Sequence, residues 1–164
     1  MQTPDVPKTE DVRRMERIHI FQGLDGREMG LVKALLESRE YDPNEMIYKE
    51  GDRGDSLNII EKGKVKIHKT MIQGDQFCIA TLRQGDIFGI MSFLDSSDHD
   101  ATIIADQRTK LVILRKSAFD TLSRTHPSIG CKILLRLATH LASIVRNMNS
   151  QYIDLTHLTF RKGK

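Results

Sequence analysis

The chain has 164 residues, of which 39% are hydrophobic and 29% are charged. Such a chain suits one compact domain with its own core, because two domains would each be very small. The formal net charge is only +3, and basic residues cluster only at Arg13-Arg14 and at 161–164. We interpret these clusters as solvated chain ends, with a phosphate or partner contact as the alternative, so an extended nucleic-acid-binding face is not expected.

The cysteines and the amino end bear on the compartment. Cys78 and Cys131 lie far apart in the chain and form no metal-binding or redox spacing. No apolar run approaches the ~18–20 residues that span a membrane. Residues 1–10 carry acids and prolines where a secretory signal would be apolar. We therefore expect a cytoplasmic protein with no membrane partner.

Two short helices are predicted after a loose leader, which covers 1–10. The first helix begins at Asp11, an acceptable N-cap, and ends at Gly23. The second helix begins at Asp25. The apolar positions at helical spacing are Met15, Ile18 and Phe21 in the first helix and Met29, Val32, Leu35 and Leu36 in the second.

The stretch 39–115 has the pattern of an all-β block, in which short apolar runs are separated by glycine turns. The turn pairs are Gly51-Asp52, Lys62-Gly63, Gly74-Asp75 and Gly85-Asp86. The predicted strands contain Met46–Tyr48, Leu57–Ile60, Val65–Ile67, Phe77–Ile79, Ile103-Ile104 and Leu111–Leu114. Short strands with a turn every 8–12 residues or so are typical of an antiparallel sandwich or barrel.

Two more helices are predicted after the β block. Ser117 can cap the first of them. Pro127 fits the first turn of a long helix that begins near His126 and runs past Tyr152.

The predicted fold class is therefore α+β, mainly β: an antiparallel β-roll, or jelly-roll, flanked by N-terminal helices and a long C-terminal helix. The roll covers about 39–115, and the C-terminal helices cover about 116–155. A single domain is predicted for 11–158, and 159–164 form a basic tail.

The long helix carries two adjacent apolar stripes at spacings of three and four. The first contains Leu134, Leu137, Leu141, Ile144 and Met148 and continues through Gln151, Leu155 and Leu158. The second contains Leu135, Ala138, Ala142, Val145 and Tyr152. Such a helix can pack on its own barrel and on a partner at once. We predict a homodimer through the first stripe, and a monomer whose helix folds back on the sheet is the alternative.

Four segments of the β block, taken in order, carry a family resemblance. They are Ile47–Asp52 (IYKEGD), Leu57–Gly63, Gln84–Gly89 (QGDIFG) and Ala101-Thr102. Together they resemble the cyclic nucleotide-binding domain family, which includes the effector domains of bacterial catabolite activators, the regulatory subunits of protein kinases and some ion channels. The resemblance covers about 21–155 and implies a β-roll with a ligand pocket. Each glycine alone could be an ordinary turn residue of any jelly-roll. That explanation does not account for the whole ordered series of segments.

The resemblance implies that the segment after Phe88-Gly89 holds a cyclic phosphate, through backbone N–H groups at the start of a short helix. In this segment Gly89 allows a close backbone approach and Ser92 offers a hydroxyl. The resemblance also places Met148 and Asn149 of the long helix near the nucleotide base. The candidate pocket residues are Gly89, Ile90, Met91, Ser92, His99, Asp100, Ala101, Thr102, Met148 and Asn149.

Two positions depart from the family pattern. Ile90 replaces a glutamate that usually accepts a hydrogen bond from the ribose hydroxyl, and His99 replaces an arginine that usually pairs with the phosphate. Losing a charge-assisted hydrogen bond of ~1.5–3 kcal/mol lowers affinity on the order of 10- to 100-fold. Asp98 and Asp100 would repel a phosphate but also favour protonated His99. His99 is therefore either a weak, pH-sensitive phosphate contact or a surface loop histidine without a ligand.

The sequence thus predicts a regulatory module in signal transduction. Its degenerate pocket is expected to bind cAMP or cGMP weakly or not at all, and it acts through a protein partner. The alternative is a true cyclic nucleotide receptor with an atypical site. Bacterial regulators of the family carry a helix-turn-helix domain after the long helix. Because this chain ends at Lys164, we expect no direct DNA binding by it, unless it is a fragment of a longer protein.

An enzyme or a metal site would be a third class of function, and the histidines do not support it. His19, His68, His99, His126, His140 and His157 form no His-x-His and no helical His-Glu-x-x-His pattern. No nucleophile has an obvious base nearby in the sequence. We predict no catalytic residue, no metal and no cofactor beyond a possible cyclic nucleotide.

Overall fold

The computed structural model describes residues 18–72 and 74–161, and the side chains of these except at position 155 and at 157–161. The chain forms two compact units. Of the described residues, the roll unit comprises 24–72 and 74–130, and the helical unit combines 18–23 with 131–161. The helix predicted from Asp11 falls largely outside the described residues, and His19–Phe21 form a turn of 3-10 helix. The single domain predicted for 11–158 stays a prediction.

The described part of the roll unit, 24–72 and 74–130, contains eight strands. Their bounds are β1 Leu36–Tyr41, β2 Met46–Tyr48, β3 Ser56–Lys62, β4 Lys64–Thr70, β5 Gln76–Arg83, β6 Ile87–Phe88, β7 Thr102–Ala105 and β8 Thr109–Arg115. Three helices belong to the same unit: α1 Gly26–Lys33, α2 Ile90–Asp95 and α3 Lys116–Thr125. A fourth helix, α4 Pro127–Arg161, begins in the roll unit and continues into the helical unit.

The strands form two antiparallel sheets of four strands each, in the orders β1-β8-β3-β6 and β2-β7-β4-β5. This arrangement confirms the predicted β-roll flanked by helices. Side chains from both sheets meet in one core cluster, where each buried apolar side chain contributes roughly 1.5–3 kcal/mol. The cluster contains Tyr41, Ile60, Val65, Phe88, Ile103, Ala105, Leu111 and Ile113.

The sheet that contains β3 is covered on both faces. Five consecutive residues of β3, from Ser56 to Ile60, are buried, which requires packing on each side of the strand. Phe119 of α3 is also buried, and its ring lies 5.3 Å from that of Phe93 on α2. This aromatic contact anchors α2, the helix that begins the candidate ligand segment.

The N-terminus of α1 lies where the sequence predicts it. The Asp25 carboxylate accepts from the backbone N–H of Glu28 at 2.8 Å, and the Glu28 carboxylate accepts from the N–H of Asp25 at 2.9 Å. This reciprocal pair satisfies two N–H groups at the helix end. The helix ends at Lys33, however, so neither Leu35 nor Leu36 lies on it as predicted. Leu36 begins β1 instead, where it pairs with Leu114 of β8.

The start of α3 differs from the prediction that Ser117 caps it. The N-cap is Arg115, which makes no side-chain capping bond, and Ser117 lies inside the helix. Arg115 is still paired with Ser56 in the β ladder, and the backbone N–H of Lys116 donates to the carbonyl of Asp55 at 2.8 Å. The strand therefore leads directly into the helix.

The helical unit is dominated by α4, which begins at Pro127 as predicted and has 35 residues. Within this unit the guanidinium of Arg136 donates to the carbonyl of Gln22 at 3.1 Å. By length and composition, the stretch Pro127–Asp154 could cross a membrane, because it contains an 18-residue window of mean hydropathy 1.4. From the sequence, no such run was expected. One such helix is weak evidence for a span, since long helices of water-soluble proteins meet the same test.

Candidate functional site

The candidate ligand segment begins at Gly89, which needs to be a glycine. Its φ of +79° lies in the left-handed region, and a Cβ there would come within 2.7 Å of the carbonyl oxygen of Ser56. The same Cβ would lie 3.2 Å from the Asn58 amide nitrogen. Any other residue would therefore combine backbone strain with a clash against β3.

The two residues after Gly89 face different environments. The side chain of Ile90 is buried, with 5% of its surface exposed, whereas Met91 is 55% exposed. Ile90 thus belongs to the core of the roll unit. It offers no hydrogen-bond acceptor at the position where the resemblance implies a carboxylate.

His99 is buried rather than at the surface. Only 6% of its surface is exposed, and its ring is stacked on that of Tyr48 with centroids 3.5 Å apart and an angle of 6° between the planes. Its Nδ1 lies 3.0 Å from the hydroxyl of Ser92, which is also buried. This corrects the alternative of a surface loop histidine.

The backbone of His99 is tied to the loop 49–55. Its N–H donates to the carbonyl of Asp52 at 2.8 Å, and its carbonyl accepts from the N–H of Gly51 at 2.9 Å. Gly54 makes the approach of this loop possible, because a Cβ there would lie only 2.1 Å from the Cβ of Ser92. Three segments therefore meet at His99: the end of β2, the loop 49–55 and α2.

Burial is the largest influence on the ionisation of His99. It lowers the pKa of the imidazole below its ordinary value, and the carboxylates of Asp52, Asp55, Asp100 and Asp98 act in the opposite direction. Two of these carboxylates already have partners. That of Asp52 accepts from the N–H of Lys49 at 2.8 Å, and that of Asp55 pairs with the Arg115 guanidinium. The arrangement favours a neutral ring at neutral pH.

A polar cluster lies at the end of the candidate ligand segment that is opposite Gly89. The buried hydroxyl of Thr102 accepts from the N–H of Glu50 at 3.0 Å. The Glu50 carboxylate binds the Lys69 ammonium at 2.5 Å and the N–H of Thr70 at 3.0 Å, and these hydrogen bonds hold its pKa at about 2. Lys69 also donates to the carbonyl of Asp100. The cluster therefore fastens the segment to β4.

Sequence reasoning missed several of these residues. Tyr48, Asn58, Glu50 and Lys69 were not among the candidates, although Tyr48 and Glu50 lie in a segment that carries the family resemblance. No local pattern pairs Tyr48 with His99, because their contact depends on the pairing of β2 with β7. Their roles could be found only from the folded structure.

The remaining pocket candidates have modest roles or lie elsewhere. Ala101 is half-buried, and Asp100 is exposed and contributes its carbonyl to the Lys69 contact. Met148 and Asn149 lie on α4 in the helical unit, where both are exposed. Their predicted position near a nucleotide base stays a prediction.

The residues predicted for a dimer differ in exposure. Leu134 is 41% exposed, Ile144 38% and Met148 61%, and Leu141 is half-buried. Leu137 is fully buried within the chain itself, so it has no surface left for a partner. This removes Leu137 from the predicted interface, while the dimer stays a prediction. Among the described side chains, no three of His, Cys, Asp and Glu come together in a way that could hold a metal ion.

Known proteins resemble this chain in sequence. A sequence profile of the cyclic nucleotide-binding domain matches residues 38–126, more than half of the chain. The cyclic AMP receptor protein of Thermus thermophilus is 30% identical over 145 residues, which cover 88% of this chain and 64% of that protein. A cAMP-dependent protein kinase regulatory subunit of Yarrowia lipolytica is 29% identical over 108 residues, which cover 66% of this chain and 28% of that protein.

A solved structure agrees in fold. The cyclic nucleotide-binding domain from Methylobacillus flagellatus superimposes with a TM-score of 0.78 at 24% identity, covering 87% of this chain and 80% of that one. The chain spans less than two thirds of the length of the two sequence relatives above. The profile match over more than half of the chain shows that this protein belongs to the cyclic nucleotide-binding domain family.

Proposed function

We propose that this chain is a non-enzymic regulatory module in signal transduction that binds cAMP or cGMP weakly or not at all and acts by contact with a protein partner. The observation that carries the proposal is the environment of His99. The resemblance implies a phosphate-binding arginine at this position. His99 is instead buried between Tyr48 and Ser92, with its polar contacts made inside the protein.

Ile90 supports the same conclusion from a second direction. A buried isoleucine gives a ribose hydroxyl no acceptor, so a nucleotide entering there would leave that hydroxyl without its usual partner. The loops around His99 also carry exposed carboxylates that repel an anion, at Asp52, Asp98 and Asp100. Each effect lowers affinity for a cyclic phosphate.

The exposed face of α4 supports a protein partner, which we propose to be a second copy of the chain. Along α4 a stripe follows alternating steps of four and three, the pattern of a coiled-coil seam. It combines members of both predicted stripes and contains neither Leu137 nor Ile144 of the first. Its members are Leu134, Ala138, Leu141, Val145, Met148 and Tyr152, and all except the half-buried Leu141 are exposed. An apolar stripe of this length on one helix favours an interface with another helix.

The relatives favour regulation rather than catalysis. One is named a cyclic AMP receptor protein and another a kinase regulatory subunit. We place the module in the cytoplasm, as the composition predicts. The names of these two relatives also favour a second candidate function, a true cyclic nucleotide receptor with an atypical site. A binding measurement can distinguish this receptor from a module that binds cyclic nucleotides weakly or not at all.

The test is calorimetry of the protein and of the double variant Ile90→Glu/His99→Arg with cAMP and cGMP. We expect the wild type to give no saturable heat at micromolar ligand. The double variant should bind at least about 100-fold more tightly, because it regains a ribose acceptor and a charge-assisted phosphate contact. The matched control Met91→Glu/Leu94→Arg adds the same charges to exposed positions of α2 and should not bind.

Two results would contradict the proposal. Micromolar or tighter binding by the wild type would make the chain a receptor. If the double variant is folded by circular dichroism yet gains no affinity, the mapping of the pocket onto these residues is wrong. Because the Ile90→Glu change puts a carboxylate in place of a buried side chain, the single variant His99→Arg is measured beside it and should gain about 10-fold or more.

A further inference from the structure

His99 is buried, and among the described side chains it has no ion-pair partner that would offset a charge on its ring. We propose that His99 is a pH-operated latch: as a neutral imidazole it fastens the loop 96–101 to β2 and α2, and protonation releases that loop. The inference concerns the ligand-free protein, so it does not depend on whether a nucleotide binds.

The contacts of the latch are all made by neutral partners. One face of the ring is covered by Tyr48, and Nδ1 is paired with the Ser92 hydroxyl at 3.0 Å. The same hydroxyl lies 3.3 Å from the carbonyl of Gly89, to which it donates. Because the Ser92 hydroxyl donates to Gly89, the ring donates its Nδ1–H to Ser92 whether it is neutral or protonated. Protonation therefore keeps this bond and instead places a charge on a residue that is only 6% exposed, which favours opening of the loop.

The charged groups around the ring do not form a direct partner for an imidazolium. Among the described side chains, none of the nearby carboxylates forms an ion pair with His99. They are exposed to solvent, so their attraction is weakened by water and salt. Four carboxylates act on the ring electrostatically: Asp52, Asp55, Asp98 and Asp100. The other charged residues of the elements that meet at His99 are Lys49, Glu50 and Arg53 of the adjoining loop, Lys69 of β4 and Asp95 at the end of α2.

Several of these charges also cancel one another. Glu50 is paired with Lys69 and Asp55 with Arg115. Burial therefore dominates, and the pKa of His99 is lowered from its ordinary value of 6.5. Once the loop opens, the ring is solvated and its pKa returns toward that value.

The direction of the pH response follows from this difference. The open loop binds a proton more readily than the closed loop, so acid favours opening. Closure is at full strength above pH 6.5 and weakens as the pH falls toward the lowered pKa of the closed form. Within this window the ratio of open to closed loop rises by up to about tenfold per pH unit, the limit for one proton.

The test is nuclear magnetic resonance of the ligand-free protein between about pH 8 and pH 5, a range that brackets the ordinary histidine pKa. The ring protons of His99 should be shifted upfield by the stacked Tyr48 and should titrate below pH 6.5. Amide hydrogen exchange of Gly51 and His99, corrected for intrinsic rates, reports the opening of the loop through the bonds that these two amides make.

We expect the corrected opening of the Gly51 amide to rise up to about tenfold per pH unit below ~6.5 in the wild type. It should not depend on pH in His99→Gln, whose amide can still bond to Ser92 but does not titrate. In Tyr48→Leu, which uncovers the ring, the titration of His99 should move toward 6.5. The proposal is overturned if His99 titrates at or above this ordinary value with its upfield shift retained, or if His99→Gln shows the same pH response as the wild type.

Discussion

The ligand segment of the roll unit and the apolar stripe of α4 differ in whether their side chains have suitable contacts within the chain. In the ligand segment, the polar groups of Ser92, His99 and Thr102 are buried, and each has a hydrogen-bond partner within the chain. Along α4 the reverse holds: apolar side chains such as Val145 and Met148 are more than half exposed to water.

The difference indicates which surface needs a partner. A buried polar group that already has its partner gains little from a ligand that must displace that partner. An exposed apolar side chain gains free energy whenever another surface covers it, at about 25 cal/mol per Å². The comparison therefore supports the proposal that the helix, rather than the pocket, binds a partner.

The largest expected effect is on association. Val145→Glu places a charge in the stripe of both copies, and each copy also loses about 1.5 kcal/mol or more of apolar burial. We expect the dissociation constant of the dimer to rise at least about 100-fold, measured by light scattering across a dilution series. Ser143→Glu adds the same charge on the opposite side of the helix and should leave the mass unchanged. A dimer that persists in Val145→Glu would place the interface elsewhere.

A smaller effect is expected where the loop 49–55 meets α2. Gly54→Ala puts a methyl group 2.1 Å from the Cβ of Ser92, so the loop or α2 must shift. Overpacking of this kind costs about 1–3 kcal/mol in the free energy of unfolding, which urea titration measures. Gly26→Ala is the control, because a Cβ there meets nothing within 4 Å. If Gly54→Ala were as stable as the wild type, the close contact between Gly54 and Ser92 would be wrong.

The smallest effect concerns one hydrogen bond. Ser92→Ala removes the hydroxyl partner of the His99 ring and should lower the free energy of unfolding by about 1 kcal/mol. Ser117→Ala, at an exposed position of α3, removes a hydroxyl without a buried partner and should change it much less. Equal losses in the two variants would show that the buried bond contributes no net stability.

The elements that the sequence predicts correctly depend on local signals. Asp25 and Glu28 cap α1 from within its own first turn, and Pro127 begins α4 at a position where a helix tolerates proline. The errors arise where tertiary pairing overrides a local preference. Leu36 joins β1 because β8 pairs with it, and Ser117 is not a cap because Arg115 is still held in the ladder.

The candidate site was predicted only in part, for the same reason. Gly89 is recognisable from the ordered motif, since glycine at that turn is required by a left-handed backbone, and Ser92 lies in the segment directly after it. The stack of His99 on Tyr48 joins residues that are distant in the chain, and it exists only because β2 and β7 pair. Leu137 was wrongly assigned to the interface. The spacing along a helix identifies its apolar stripes, but it does not show which apolar residues are buried within the same chain.

The central claim is that the ligand segment is closed by its own side chains and does not take up a cyclic nucleotide. A titration of the wild-type protein with cAMP, followed through the amide signals of Gly51, Gly89 and His99 in a ¹H–¹⁵N spectrum, tests it most directly. We predict no saturable shift of these three signals at micromolar ligand, with the upfield ring protons of His99 unchanged. Saturable shifts at micromolar cAMP, together with loss of the His99–Tyr48 stack, would contradict the account and show that the pocket opens for its ligand.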